Sequence, residues 1–114
     1  MPDHAVKEFR KLNLQQRVYA LCLTVFERVT VDVILDVLKY VEGRELSEQE
    51  VHQITHLFEE MKKRVRWGDK SNEQIVETEL GISPKTVHGV IAESALSKMK
   101  TDERIVDENR TGFL

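Results

Sequence analysis

The 114 residues suffice for one compact domain with a modest core, and a mix of 40% hydrophobic and 32% charged residues with two prolines and five glycines fits a helix-rich globular chain rather than a disordered one. Cys22 is the single cysteine, which excludes an intramolecular disulfide framework. There is no basic-then-apolar leader and no apolar run of about 18 residues, so the expected setting is the cytoplasm with no membrane contact. Net charge is −3 but unevenly spread: residues 1–60 hold 7 basic and 11 acidic side chains, residues 61–100 hold 8 and 5, and residues 101–114 hold 2 and 4. Such asymmetry is expected where one end meets phosphate and the other meets protein.

The expected fold is all-α, a compact bundle of about six helices. A first helix is expected from Asp3 to Leu12, with Ala5, Val6 and Phe9 on its apolar side and a break near Asn13. The second, from Leu14 to Arg28, carries Leu14, Val18, Leu21, Cys22, Val25, Phe26 and Val29 at spacings of three and four, a stripe wide enough to serve as core or as a dimer interface. Thr30 can cap a third helix whose Ile34, Val37, Leu38 and Val41 share one face before Gly43 stops it. Val29, Val31 and Val33 alternate as in a strand, which leaves its start open.

The fourth helix announces itself: Ser47 followed by Glu50 forms a capping box, and Leu46 with Val51 the accompanying hydrophobic staple. Its apolar face is Val51, Ile54, Phe58, Met61 and Val65, and Trp67-Gly68 is its expected end, giving about 20 residues or roughly 30 Å. A long amphipathic helix in this place suits the first helix of a three-helix DNA-binding unit or a dimerisation strut. Trp67 is expected to plug the hinge between two halves.

Residues 71–90 read as a helix, a tight turn at Gly81 and a second helix opened by Ser83 as N-cap and Pro84 in the first helical position. Val76, Leu80, Ile82, Val87 and Val90 supply the apolar clamp that a helix-turn-helix needs. Leu80-Gly-Ile-Ser-Pro-Lys-Thr-Val87 resembles the turn and recognition-helix start of LuxR-type regulators and of region 4 in sigma factors, over about 20 to 30 residues of the chain. Those families usually place a small residue four positions before the turn glycine, where this chain has Glu77. A buried unpaired carboxylate is costly, so a helix one residue longer is expected, with Ile75 and Val76 filling the inward slots.

The resemblance implies binding of double-stranded DNA by a homodimeric transcription regulator. Ser83 would meet phosphate, and Lys85, Thr86 and His88 would face base edges in the major groove. Lys62, Lys63, Arg66 and Lys70 are candidates for the DNA backbone beside the motif, or else solvated cations complementing a helix C-terminus. Gly89 costs a helix about 1 kcal/mol relative to alanine unless a close approach requires it, and Glu93 would repel phosphate if it faced the backbone. After the motif, Arg104–Val106 and Gly112–Leu114 can pair as a β-hairpin wing with Arg110 at its tip, the alternative for 100–114 being a flexible tail.

Other chemistry is thin. His52 and His56 lie one helical turn apart, but no third ligand is at hand and no metal or cofactor is expected. Cys22 reads as a small buried hydrophobe with nothing basic to activate it, and no phosphate loop, carboxylate pair or Ser-His-Asp pattern suggests an enzyme. The expected organisation is one domain: a helical interaction or dimerisation part at 1–45, a helix-turn-helix part at 47–99, and the wing or tail. The rival to DNA binding is an accessory factor or antagonist that grips another regulatory protein. DNA binding predicts one shared positive face of Lys85, His88 and the Lys62–Arg66 run; the rival predicts that acids neutralise that face and that an apolar patch is exposed elsewhere.

Overall fold

A computed structural model describes the backbone of residues 2–24 and 29–113 and the side chains of residues 4–24 and 29–100. Among the described residues the chain is all helical: α1 (Pro2–Arg10), α2 (Leu14–Thr24), α3 (Val31–Glu42), α4 (Glu48–Lys62), α5 (Ser71–Ile75) prolonged by a π-helical segment Val76–Leu80, and α6 (Pro84–Phe113). Helix α2 is the hub, packing on α4, α5 and α6, while α6 lies along α1 and α3. Val18, Ala20, Leu21, Cys22, Leu23 and Thr24 are all buried, so the wide stripe of α2 is core rather than a free interface. Its expected last turn, 25–28, lies outside the described residues.

Local chemistry sets most of the helix starts. The Asn13 side chain accepts from the Gln16 amide (2.8 Å) and Gln16 Oε1 accepts from the Asn13 amide (2.9 Å), a reciprocal cap that makes the break after α1 also the beginning of α2. Ser47 and Glu50 close the same reciprocal pair at α4, with Arg44 bonded to both Glu50 oxygens at 2.8 and 2.9 Å. That arginine first, and then the Ser47 amide, hold the Glu50 carboxyl down to about 2. Helix α3 starts at Val31 and stops at Gly43, whose φ of 71° turns the chain while its amide caps the carbonyls of Lys39 and Tyr40. Val31 and Val33 thus belong to α3, and the alternating valines do not form a strand.

Two boundaries differ from expectation. Helix α4 ends at Lys62 instead of running to Trp67. Val65 is buried and Trp67 packs against the core two residues later; a helix would turn residues at that spacing to nearly opposite sides, so the chain must leave helical geometry to bring both inward. In place of either the hairpin or the flexible tail that the sequence left open, the backbone of α6 runs on as helix to Phe113. Residues 91–111 contain neither glycine nor proline, so nothing in that stretch interrupts the helix.

The loop between α1 and α2 is tied down by arginine. Arg17 donates to the carbonyls of Leu12 (3.0 Å) and Arg10 (3.0 Å) and pairs with Glu42 at 2.7 Å, and Arg10 reaches the Val41 carbonyl. These bonds place cations at the ends of α1 and α3, where the helix dipoles favour them. No helix among the described residues is long and apolar enough to cross a membrane.

Candidate nucleic-acid interface

The candidate motif at 71–90 is assembled from α5, its π-helical extension, the Gly81 turn and the first turns of α6. Asp69 opens it by accepting from both the amide (2.9 Å) and the hydroxyl (2.8 Å) of Ser71, bonds that hold its carboxyl below the usual range, with Arg66 adding a smaller effect. Asn72 is buried, and its side chain donates to the Arg66 carbonyl at 2.7 Å. This pins the Arg66–Asn72 loop to the start of α5. Neither residue stands out by periodicity; an Asp two residues before a helical Ser is the only local sign.

The turn is made as its residues dictate. Gly81 adopts φ 67°, a left-handed conformation that a side chain would strain, and Ser83 Oγ accepts the Lys85 amide at 3.2 Å. Val76, Ile82, Val87 and Val90 are buried and Leu80 is half-buried against them. Each buried valine contributes roughly 1.5–3 kcal/mol of transfer free energy. Together they hold the two helices at a fixed angle.

The π-helical segment resolves the place of Glu77. A π turn holds one residue more than an α turn, so the extra residue is taken up between Val76 and Leu80. Val76 then fills the inward slot with no exposed surface while Glu77 faces solvent. The longer helix thus takes the form of a local widening rather than added length.

The candidate contact residues are distributed as follows. Ser83 and Lys85 are exposed at the N-terminus of α6, and Thr86 and His88 are half-buried just beyond. Glu73 of α5 stands 3.6 Å from His88 Nε2. Lys62, Lys63, Arg66 and Lys70 are all exposed, with Lys62 2.8 Å from Glu59 and Lys63 3.9 Å from Glu60. Counted by segment, residues 61–70 carry five basic and one acidic side chain, whereas residues 71–90 carry Lys85 against Glu73, Glu77 and Glu79. The positive charge lies in the approach to the motif, and the motif itself is acidic.

Gly89 and Glu93, the two residues on which the expected fit to DNA was weakest, are both engaged within the protein. A Cβ placed on Gly89 would meet the Ala5 Cβ at 3.5 Å, so the glycine lies where α1 comes against α6. Glu93 accepts from the Tyr40 hydroxyl at 2.9 Å, and farther along α6 Ser94 donates to the Asp36 carbonyl (3.4 Å) and Lys98 pairs with the Asp36 carboxylate (2.8 Å). Helix α6 is therefore anchored to α3 through Glu93, Ser94 and Lys98. Cys22 is buried and its thiol is pushed up to about 12 by desolvation, which leaves it protonated and unreactive. His52 and His56 are exposed on α4, and among the described residues no three His, Cys, Asp or Glu side chains converge on one point. Trp67 is half-buried and wedged against the core at the approach to α5.

No known protein family, curated protein or solved structure matches the chain.

Proposed function

We propose that this chain is a small cytoplasmic transcription regulator that binds double-stranded DNA as a homodimer through its helix-turn-helix, and that it is a binding protein rather than an enzyme. The observation that carries the reading is the start of α6, where Ser83 and Lys85 lie exposed immediately after the Gly81 turn. A helix N-terminus adds about half a positive charge at that point, suited to a phosphate oxygen, while Lys85, Thr86 and His88 have the donors to meet base edges. Lys62, Lys63, Arg66 and Lys70 supply the grip on the sugar-phosphate backbone that the acidic motif lacks.

This division of labour has a measurable consequence. Fluorescence anisotropy with a duplex selected from a random pool should show salt-dependent binding. Lys62→Ala/Lys63→Ala should weaken all duplexes alike and reduce the salt slope by about 2, whereas Lys85→Ala should cost about 1–3 kcal/mol on the selected duplex and little on others. Absence of salt-sensitive binding, with Lys85→Ala making no difference, would sink the reading.

One observation favours a second reading, in which the motif grips another regulatory protein. Glu73, Glu77 and Glu79 are exposed on α5 and its extension and outnumber Lys85, a surface better matched to a basic protein than to phosphate. Recovery of a stoichiometric protein partner free of DNA, lost in Glu73→Lys/Glu77→Lys, would favour it.

A further inference from the structure

We propose that the cleft between α2, the turn after α4 and the π-helical segment Val76–Leu80 binds a free α-amino acid with an apolar side chain. The cleft encloses about 380 Å³ and is walled by Gln15 and Tyr19 of α2, Met61 in the last turn of α4, Arg64 in the turn that follows, and Glu79 and Leu80 just before Gly81. That volume lies at the small end of the roughly 300–1,000 Å³ of small-molecule sites. Met61 is buried, and Tyr19 and Leu80 are half-buried against the core, so the floor is apolar. The rim is charged. Arg64 and Glu79 are both exposed there, and among the described residues neither side chain has a hydrogen bond or ion pair to another.

Both charges act on one point of the cleft. The Tyr19 phenol is raised above its ordinary range by burial first and by the Glu79 carboxylate next, while the Arg64 guanidinium pulls it the other way. Opposite charges over one apolar floor select among ligand classes. A simple anion drawn to Arg64 is repelled by Glu79, and a simple cation drawn to Glu79 is repelled by Arg64. A zwitterion satisfies both, its carboxylate taking the planar fork of Arg64 and its ammonium donating to Glu79. An apolar side chain on the same molecule then rests on the Tyr19 ring and on Met61, whose unbranched thioether adapts to varied shapes. A free α-amino acid joins these three features within a volume the cleft can hold. Neither Arg64 nor Glu79 is among the groups assigned to DNA, so the proposal is independent of that reading.

Calorimetric titration of the full chain with L-leucine tests it, alongside isocaproate, which is leucine without its amino group, and isoamylamine, which is leucine without its carboxylate. L-Leucine should bind at one site per chain, and each analogue at least about tenfold more weakly, the loss of one charge-assisted bond. Glu79→Gln should weaken leucine by a similar factor yet bind isocaproate more tightly than the wild type does, because the repelling carboxylate is gone. Arg64→Gln should do the same for isoamylamine. Both residues are exposed, so the circular-dichroism melt of each variant should match that of the wild type. No heat with leucine at millimolar concentration, equal binding of leucine and either analogue, or an affinity indifferent to both substitutions overturns the proposal. Variants that weaken all three ligands alike overturn it as well, since they act on the shape of the cleft and not on its charges.

Discussion

Helices α4 and α6 both begin just after a serine, yet they are specified in different ways. At α4 the first turn is self-sufficient: Ser47 and Glu50 satisfy each other's amides, and Ile54, Phe58 and Met61 are buried along a single face. At α6, Ser83 caps only the Lys85 amide, and the helix owes its place to α1, α2 and α3 packed around Val87, Val90 and Ser94. A helix with a complete local cap is positioned by its own sequence and then docks. One with a partial cap is positioned by its neighbours, and its outward face stays exposed.

Three measurements test that contrast. The largest effect should come from Val90→Asp, which places a carboxylate at a fully buried position of α6. The cost of several kcal/mol should abolish a cooperative thermal transition at neutral pH, whereas Ala92→Asp on the outward face should leave the melt nearly unchanged. Equal effects of the two would show that α6 does not depend on its inward neighbours.

Gly89→Ala should have a smaller effect and of opposite sign. Its added methyl meets Ala5 at ordinary contact distance, and the gain in helix propensity is about 1 kcal/mol, so the melting temperature should rise by a few degrees. If stability rises while DNA affinity falls, the bare glycine serves the duplex and not α1.

The smallest effect concerns the start of α4. The Glu50 carboxyl is depressed to about 2, so the unfolded state binds the proton more readily than the folded one. Its stabilisation is complete above the ordinary carboxylate range and is lost as pH falls through about 2. Glu50→Gln keeps a capping amide but removes this linkage, so melting temperature should fall less steeply between about pH 5 and pH 2 than in the wild type. An unchanged slope would assign the acid sensitivity to other carboxylates.

The legible parts of the chain share one property: their cause lies within a turn or two of sequence. Ser47 with Glu50, Gly43 and Gly81 each act through bonds or dihedral angles of adjacent residues, and the apolar spacing of Val76, Ile82, Val87 and Val90 states the clamp outright. The apolar period runs smoothly through Val65 and gives no sign that α4 stops at Lys62; only the core decides that Trp67 must also turn inward. After residue 100 two short apolar runs fit a hairpin or a tail, a weak signal against a stretch with no helix breaker.

The candidate site divides in the same way. The turn geometry, the exposed Ser83 and Lys85 and the need for an extra residue near Glu77 follow from residues close in the chain. The pairing of His88 with Glu73, the bond from Tyr40 to Glu93 and the approach of Ala5 to Gly89 join residues 15, 53 and 84 positions apart, and no local pattern reports them.

By itself, then, the sequence determined an all-helical chain, its caps and a glycine-turned helix pair, because those depend on short-range hydrogen bonds, allowed dihedral angles and the period of apolar residues. Tertiary structure alone decided which faces of α6 remain free, since that depends on where α1 and α3 come to rest against it. It left Lys85, Leu96 and Met99 outward and turned Glu93 and Gly89 toward the protein's own helices.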